Sequence, residues 1–218
     1  MSESYTPSER SRVRRVHQRG HYDRETLHAV LDAGMICHVG YVIDGQPYVT
    51  PTIYWRDGDD VYFHGSSASR MLRQVRDGIP VCLTVTHVDA LVVARSGFHC
   101  SANYRSAMLF GTAVEVTDEA EKDRVLKDFV EGLLPGHWAN MRPPTTQEMK
   151  GTIVCRMSVE EASAKIRTGP PVDDEEDYAL DCWAGELPIT TTIGAPVRDP
   201  RLPDGITEPD YLASFKLG

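Results

Sequence analysis

The chain has 218 residues, 41% of them hydrophobic and 25% charged, with a net charge of −9. That length suits one large domain with an appendage and is enough to bury a sizeable core. The acidic balance repels nucleic-acid phosphates and anionic lipid, and no apolar run approaches the roughly 18 residues of a bilayer span. The N-terminal stretch is polar and charged, unlike a signal peptide, so a cytoplasmic protein with no nucleic-acid or membrane partner is expected. In that compartment the five cysteines are reduced thiols. They are odd in number and form no C-x-x-C pair, so neither a disulfide framework nor a zinc signature is read. Cys37, Cys82 and Cys155 sit in apolar strand-like runs and read as small core residues.

In chain order, residues 1–20 read as a flexible arm, with Arg12, Arg14, Arg15 and Arg19 as a solvated basic cluster. A short helix follows over 22–33, capped by Asp23, with Leu27, Val30 and Leu31 on one face. Strands are expected over 35–43, 46–55 and 61–64, joined by the tight turns Asp44-Gly45 and Asp57-Gly58. A glycine–serine break at 65–69 leads into a short helix that ends at Asp77-Gly78. Further strands are expected over 80–88, with 89–93 either continuing it or turning, and over 104–117, the latter bent at Gly111. A helix over 118–134 carries an apolar stripe from Val125 to Leu133, a loop occupies 135–144, and a last strand runs over 151–167 with a break near 158–162. Residues 173–177 read as an acidic linker, and 178–218 as a proline-rich tail. The organisation expected is an arm (1–20), a body (21–170) and a C-terminal extension (171–218) packed on the body or on a partner subunit. About six strands with helical additions argue for a closed, mainly β architecture.

Three stretches carry candidate chemistry. The segment Phe63-His64-Gly65-Ser66, followed by Ser69-Arg70 at a helix start, can cradle a phosphate through backbone N–H groups, hydroxyls and a guanidinium. The same residues also make an ordinary capped strand-to-helix turn. Tyr104-Arg105-Ser106 puts a cation and a hydroxyl at a strand start, where they can meet the same phosphate or pair with a carboxylate. Val49-Thr50-Pro51-Thr52 holds a proline inside a strand, which marks an edge or a bulge whose free backbone groups can bind the rim of a heterocycle. A metal site is not expected: His17 and His21 have helical spacing but lack a zincin glutamate. His28 lies on the first helix, and His99-Cys100 reads as surface loop. No G-x-G-x-x-G motif points to a Rossmann site.

Taken in order, Pro-Tyr-Val-Thr-Pro (47–51), Val-Tyr-Phe-His-Gly-Ser (61–66), Ser-Arg-Met (69–71), Tyr-Arg-Ser-Ala-Met-Leu-Phe-Gly (104–111) and Trp-Ala-Gly-x-Leu-Pro (183–188) resemble the pyridoxamine-phosphate-oxidase-like flavoproteins. The nearest branch is that of nitroimidazole-resistance reductases and related flavin-nucleotide-binding proteins. The resemblance implies a six-stranded split β-barrel with peripheral helices, a homodimer, and two FMN molecules at the interface. It places Val49, Thr50, Pro51 and Thr52 of a bulged second strand against the isoalloxazine. Phe63, His64, Gly65, Ser66, Ser69 and Arg70 lie along the ribityl chain and phosphate, and Tyr104, Arg105 and Ser106 complete the phosphate site. Trp183 approaches the flavin from the partner chain, and His64 is linked to activity. The Arg-Leu-x-Pro ending of true pyridoxamine-phosphate oxidases is missing, since Arg201-Leu202-Pro203 has neither its spacing nor its place, so vitamin B6 oxidation is not supported.

The function expected is an FMN-dependent oxidoreductase acting on a small organic substrate, with NADH or NADPH as a transient donor and His64 as the first candidate catalytic residue. The alternative is a flavin- or haem-binding module without turnover.

Overall fold

The computed structural model describes residues 3–215. Its strands are β1 (Gly20–His21), β2 (Ile36–Ile43), β3 (Gln46–Asp57), β4 (Asp60–Ser66), β5 (Asp77–Val93), β6 (Ser101–Glu115), β7 (Thr152–Ser158), β8 (Glu161–Arg167) and β9 (Gly185–Pro188). Its α-helices are α1 (Arg24–Asp32), α2 (Arg70–Val75), α3 (Glu119–Leu133) and α4 (Thr146–Gly151). Strands pair in the order β6-β7-β4-β3-β2-β5, and β5 pairs back onto β6, which closes a ring of six. This is the split β-barrel expected.

Local chemistry explains how the ring forms. β2 alternates, with Cys37, Val39 and Tyr41 buried and Ile36, His38 and Val42 exposed. Asp44 and Gly45 both have positive φ (50° and 77°), so the β2–β3 hairpin turns in the primed form that suits twisted strands. The split lies in β6. Its first half pairs with β8, from Tyr104↔Arg167 to Phe110↔Glu161, and its end pairs with β7, from Ala113↔Met157 to Glu115↔Cys155. Gly111 sits at the change of partner. A Cβ there would lie 2.5 Å from the Ser158 carbonyl oxygen, so only glycine lets the β7–β8 turn cross so closely.

The core fills the barrel. Leu27, Val30 and Leu31 of α1 pack with Val39, Phe63, Leu83, Leu109 and Met157. Each such side chain contributes roughly 1.5–3 kcal/mol by leaving water. A smaller cluster outside the ring joins Tyr62, Val116, Val125 and Val154 under α3. The helices begin as their sequences dictate: Asp23 accepts from the Thr26 N–H at 2.8 Å, and Asp118 from the Glu121 N–H at 2.7 Å. Cys37 and Cys155 are core thiols, each pushed up to about 12 by burial. Cys82 is half-buried and Cys100 and Cys182 are exposed; all five are free.

Several segments differ from expectation. Residues 3–19 are laid on the barrel instead of hanging loose: Tyr5 is buried, its hydroxyl donates to Asp59 at 2.9 Å, and Ser8 and Arg10 both bond Glu161. Arg12, Arg14 and Arg15 remain exposed. Of the two readings open for 89–93, the structure takes the continuing one: β5 runs on to Val93 through an irregularity at Val88/Ala90. α4 occupies the stretch between the loop expected over 135–144 and the strand expected from 151, for which no element is expected. Asp173 is buried, accepting from the Arg95 and Ser96 N–H groups and the Arg95 guanidinium, so the acidic linker is pinned at its start. The tail contains β9, which pairs with the far half of β5 and is tied inward by Asn103, whose amide reaches Glu186, Gly169 and Arg167.

Candidate functional site

β2 and β3 leave one side of the barrel apolar and open. Their register sets Ile36 against Ile53, His38 against Pro51, Gly40 against Val49 and Val42 against Pro47. A cross-sheet row runs Pro51–His38–Thr84–Met108 over four strands. Val49 is 68% exposed and Val42 58%, far more than β-strand apolar residues of a covered face. On the side toward β4, β3 has no registered partner before Tyr54↔Phe63, so Pro51 sits on a locally free edge, as its missing N–H requires. The ladder to β2 is regular, so the bulge expected at 49–52 is absent. Val49 and Pro51 face outward, while Thr50 and Thr52 are half-buried on the opposite side, where Thr50 bonds the Tyr41 hydroxyl at 3.1 Å.

The glycine–serine segment is engaged with itself. The Ser67 N–H donates to Gly151 O at 2.8 Å, the Ala68 N–H to Ser66 Oγ at 3.1 Å, and the Ser69 N–H to Ser66 O at 2.8 Å. Ser69 Oγ caps α2 by accepting from the Leu72 N–H at 3.4 Å. These donors form a capped turn rather than an open phosphate cradle. Phe63 is in the core, and Gly65 packs against Leu72, whose Cδ1 would stand 3.0 Å from a Cβ. Arg70 is exposed and lies over the Tyr48 ring, 4.5 Å from its centroid.

Arg105 lies elsewhere. It forks onto Asp89, with Nη2–Oδ1 at 3.0 Å and Nε–Oδ2 at 3.1 Å. Its β5 partner is His87, three residues beyond Thr84, the partner of His38, whereas Tyr48 faces Tyr41. Those levels differ by six residues of β2, about 20 Å at the usual rise. Within one chain the two arginines therefore do not converge on a single phosphate, and the expected common cavity is absent among the described residues. Ser106 donates its hydroxyl to Lys165 O at 3.2 Å, and Tyr104 is half-buried in the β5–β6–β8 ladder. Trp183 is 65% exposed and folds over Gly185.

His64 stands half-buried on the outer face of β4. Its ring lies 4.8 Å from that of Phe129 and 5.6 Å from that of Trp55. Burial lowers its pKa below 6.5, and its Nδ1 is enclosed without a hydrogen-bond partner, as is the Trp55 indole nitrogen.

Three cavities meet at Met35. One, about 350 Å³, lies between Trp55, Arg56 and Phe129. Another, about 500 Å³, is bounded by the end of α3 and the tail, and its lining is apolar except for His137. The third, about 590 Å³, holds Arg105, Asp89 and Thr190. His137 lies in the loop expected over 135–144, with no local motif to mark it as a site residue. A cavity closed by a distant tail leaves no local pattern. On the surface, His99, Asp174 and Asp177 bring possible ligand atoms within 4.8 Å of one another. Among the described residues, no helix is long and apolar enough to cross a membrane.

The family model for pyridoxamine 5'-phosphate oxidase matches residues 23–166. The chain belongs to that family. Within it, the chain is similar to the solved structure of the flavocytochrome Anf3 from Azotobacter vinelandii. The two share 46% identity and a TM-score of 0.93, covering 98% of this chain and 100% of that one. It is also similar to the FAD and haem binding protein from Mycobacterium smegmatis, at 35% identity and a TM-score of 0.86, covering 90% of this chain and 97% of that one. A 5-nitroimidazole antibiotic resistance protein from Bacteroides thetaiotaomicron shares the fold, at 20% identity, a TM-score of 0.55, and coverage of 66% and 84%. No curated protein matches.

Proposed function

We propose that the protein is a dimeric flavin-binding redox protein that also carries a haem, and that the flavin lies on the exposed strip of β2 and β3. The observation that carries this reading is the open apolar face of Val42, Val49, Pro51 and Ile53 in a chain 46% identical, over nearly its whole length, to a flavocytochrome. An apolar face of that breadth calls for a cover, and a second barrel with an isoalloxazine between the two supplies one. The flavin is proposed as FAD rather than the FMN expected from the family resemblance. Its support is the relative named for FAD and haem, and the polar cavity beside Arg105, which offers room beyond one phosphate.

When bound, the flavin supplies electron or hydride transfer to a small acceptor, and the protein supplies position and a shaped pocket. Val49 and Pro51 contact the ring, Arg70 meets the phosphates, and Arg105, Ser106 and Trp183 belong to the site through the partner chain. That arrangement fits the distance between the two arginines in one chain. His64, neutral at neutral pH, stands at the seam between the strip and α3.

The test is direct. The purified protein is expected to show flavin and Soret absorbance and to release FAD on denaturation. Anaerobic reduction by NADH or NADPH, followed by reoxidation with oxygen or a nitro-compound, distinguishes an enzyme from a holder. Protein that binds neither added flavin nor haemin overturns the reading.

A further inference from the structure

We infer that His137 would hold the iron of a bound haem through its Nε2, with Tyr211 orienting the ring. This rests on the haem reading above and goes beyond it by naming the ligand. The cavity between α3 and the tail has the chemistry a tetrapyrrole needs. Val130, Leu133, Ile193, Leu212 and Phe215 give it apolar walls for a macrocycle, and His137 is the one polar residue in the lining. The adjoining cavity shares Met35, Leu133 and Phe215 with it and ends at Arg56, whose guanidinium forks onto Asp32 in the same lining, so its polar end is an ion pair.

The other histidines nearby are not placed for this. His87 bonds the Val30 carbonyl through Nε2 at 2.9 Å. His64 is wedged between Trp55 and Phe129 and lines neither cavity. His137 differs. Its Nδ1 is 2.9 Å from the Tyr211 hydroxyl, and its Nε2 makes no hydrogen bond among the described residues. With Nδ1–H donating to Tyr211, the Nε2 lone pair is available to a metal, the arrangement that fixes ring tautomer and direction at metal sites. The loop bearing it is held from both sides, because Glu131 accepts from the Gly136 N–H at 2.7 Å and from the Trp138 N–H at 2.9 Å. Gly136, at φ 88°, packs against the Tyr211 ring, so loop and tail are fitted to each other at the ligand.

The experiment titrates haemin into full-length protein with its flavin in place and reads the Soret band and the electron paramagnetic resonance spectrum. His137→Ala is expected to lose the Soret band at one haemin per chain while keeping its flavin. His137→Gly is expected to regain the band when imidazole is added, which separates ligation from misfolding. Tyr211→Phe should hold haem but shift its midpoint potential. Met35→Leu, which removes the other donor atom of the lining, should leave the haem bound. Wild type that binds haemin together with a His137→Ala variant of unchanged spectrum overturns the ligand assignment and leaves the haem reading standing. Wild type that binds no haemin overturns both.

Discussion

His64 is enclosed between two aromatic rings with a nitrogen that finds no partner, and that cost has a pH signature. Its folded pKa lies below the ordinary value because burial disfavours the imidazolium. The unfolded chain keeps the ordinary value of about 6.5. Below that pH the unfolded state takes up a proton that the folded state refuses, so stability is full above it and falls as acidification proceeds through the folded pKa. Urea-unfolding midpoints of the wild type are expected to fall between about pH 7 and pH 5, and His64→Leu should flatten that slope. His28, lowered by burial and by Arg56, supplies a residual slope. An identical slope in the variant would show that His64 is not the titrating group. Arg70 carries a second prediction at this scale. Exposed over Tyr48, its guanidinium has no carboxylate partner among the described residues, whereas Arg105 already has Asp89. Arg70→Ala is expected to weaken flavin binding by roughly 1.5–3 kcal/mol, the range of a charge-assisted hydrogen bond. Fluorescence titration that finds the wild-type dissociation constant removes Arg70 from the site.

At the scale of elements, β3 joins fold to function, since its first half pairs on one side alone and carries the outward row of Val49, Pro51 and Ile53. A lysine at Val49 puts a charge where a second barrel is proposed to sit. Val49→Lys is expected to turn a dimer into a monomer by light scattering and to release the flavin with it. A dimer that keeps its flavin would move the interface elsewhere. β6 carries a stability prediction, because Gly111→Ala places a methyl 2.5 Å from Ser158 O and 2.9 Å from Met157 Cγ. Backbone cannot yield cheaply there, and the loss should be about 1–3 kcal/mol in urea unfolding. The barrel strands were legible in the sequence because alternation and Asp-Gly turns are local signals: Cys37, Val39 and Tyr41 announce which face is inside. α4 was legible too, through the capping box of Thr145 and Glu148, a signal that carries no apolar stripe with it and so does not stand out in a short helix. At Ser66–Ser69 the cradle and the capped turn could not be told apart in the sequence, since composition names donors and cannot say that the turn itself will use them.

At the scale of the whole molecule, the chain divides into a barrel that holds itself together and a tail that closes cavities on it. Among the described residues, the main core cluster has no buried member beyond Ala164, and Ile166 is the last residue packed against it. β9 adds an edge to β5, and Ile189 N–H donates to Asp89 O at 2.9 Å. After Thr191 the tail contributes Ile193, Pro196, Leu212 and Phe215 to one cavity wall and Tyr211 to His137, while Val197 is 95% exposed. This part of the tail was illegible in the sequence: with many prolines and no periodicity, its role depends on contacts with α3, some eighty residues away along the chain. A truncation after Thr191 separates the two functions of the chain. Barrel, strip and β9 are all retained, so the shortened protein should fold, dimerise and bind flavin as the full chain does. Haemin should no longer bind, because the cavity opens to water and His137 loses its orienting hydroxyl. Absorbance after haemin titration and flavin stoichiometry, measured on the same sample, give both answers. Haem retained with the wild-type spectrum would place the iron away from the tail; flavin lost along with haem would mean that the tail supports the dimer face as well, and that the barrel is less self-sufficient than its core implies.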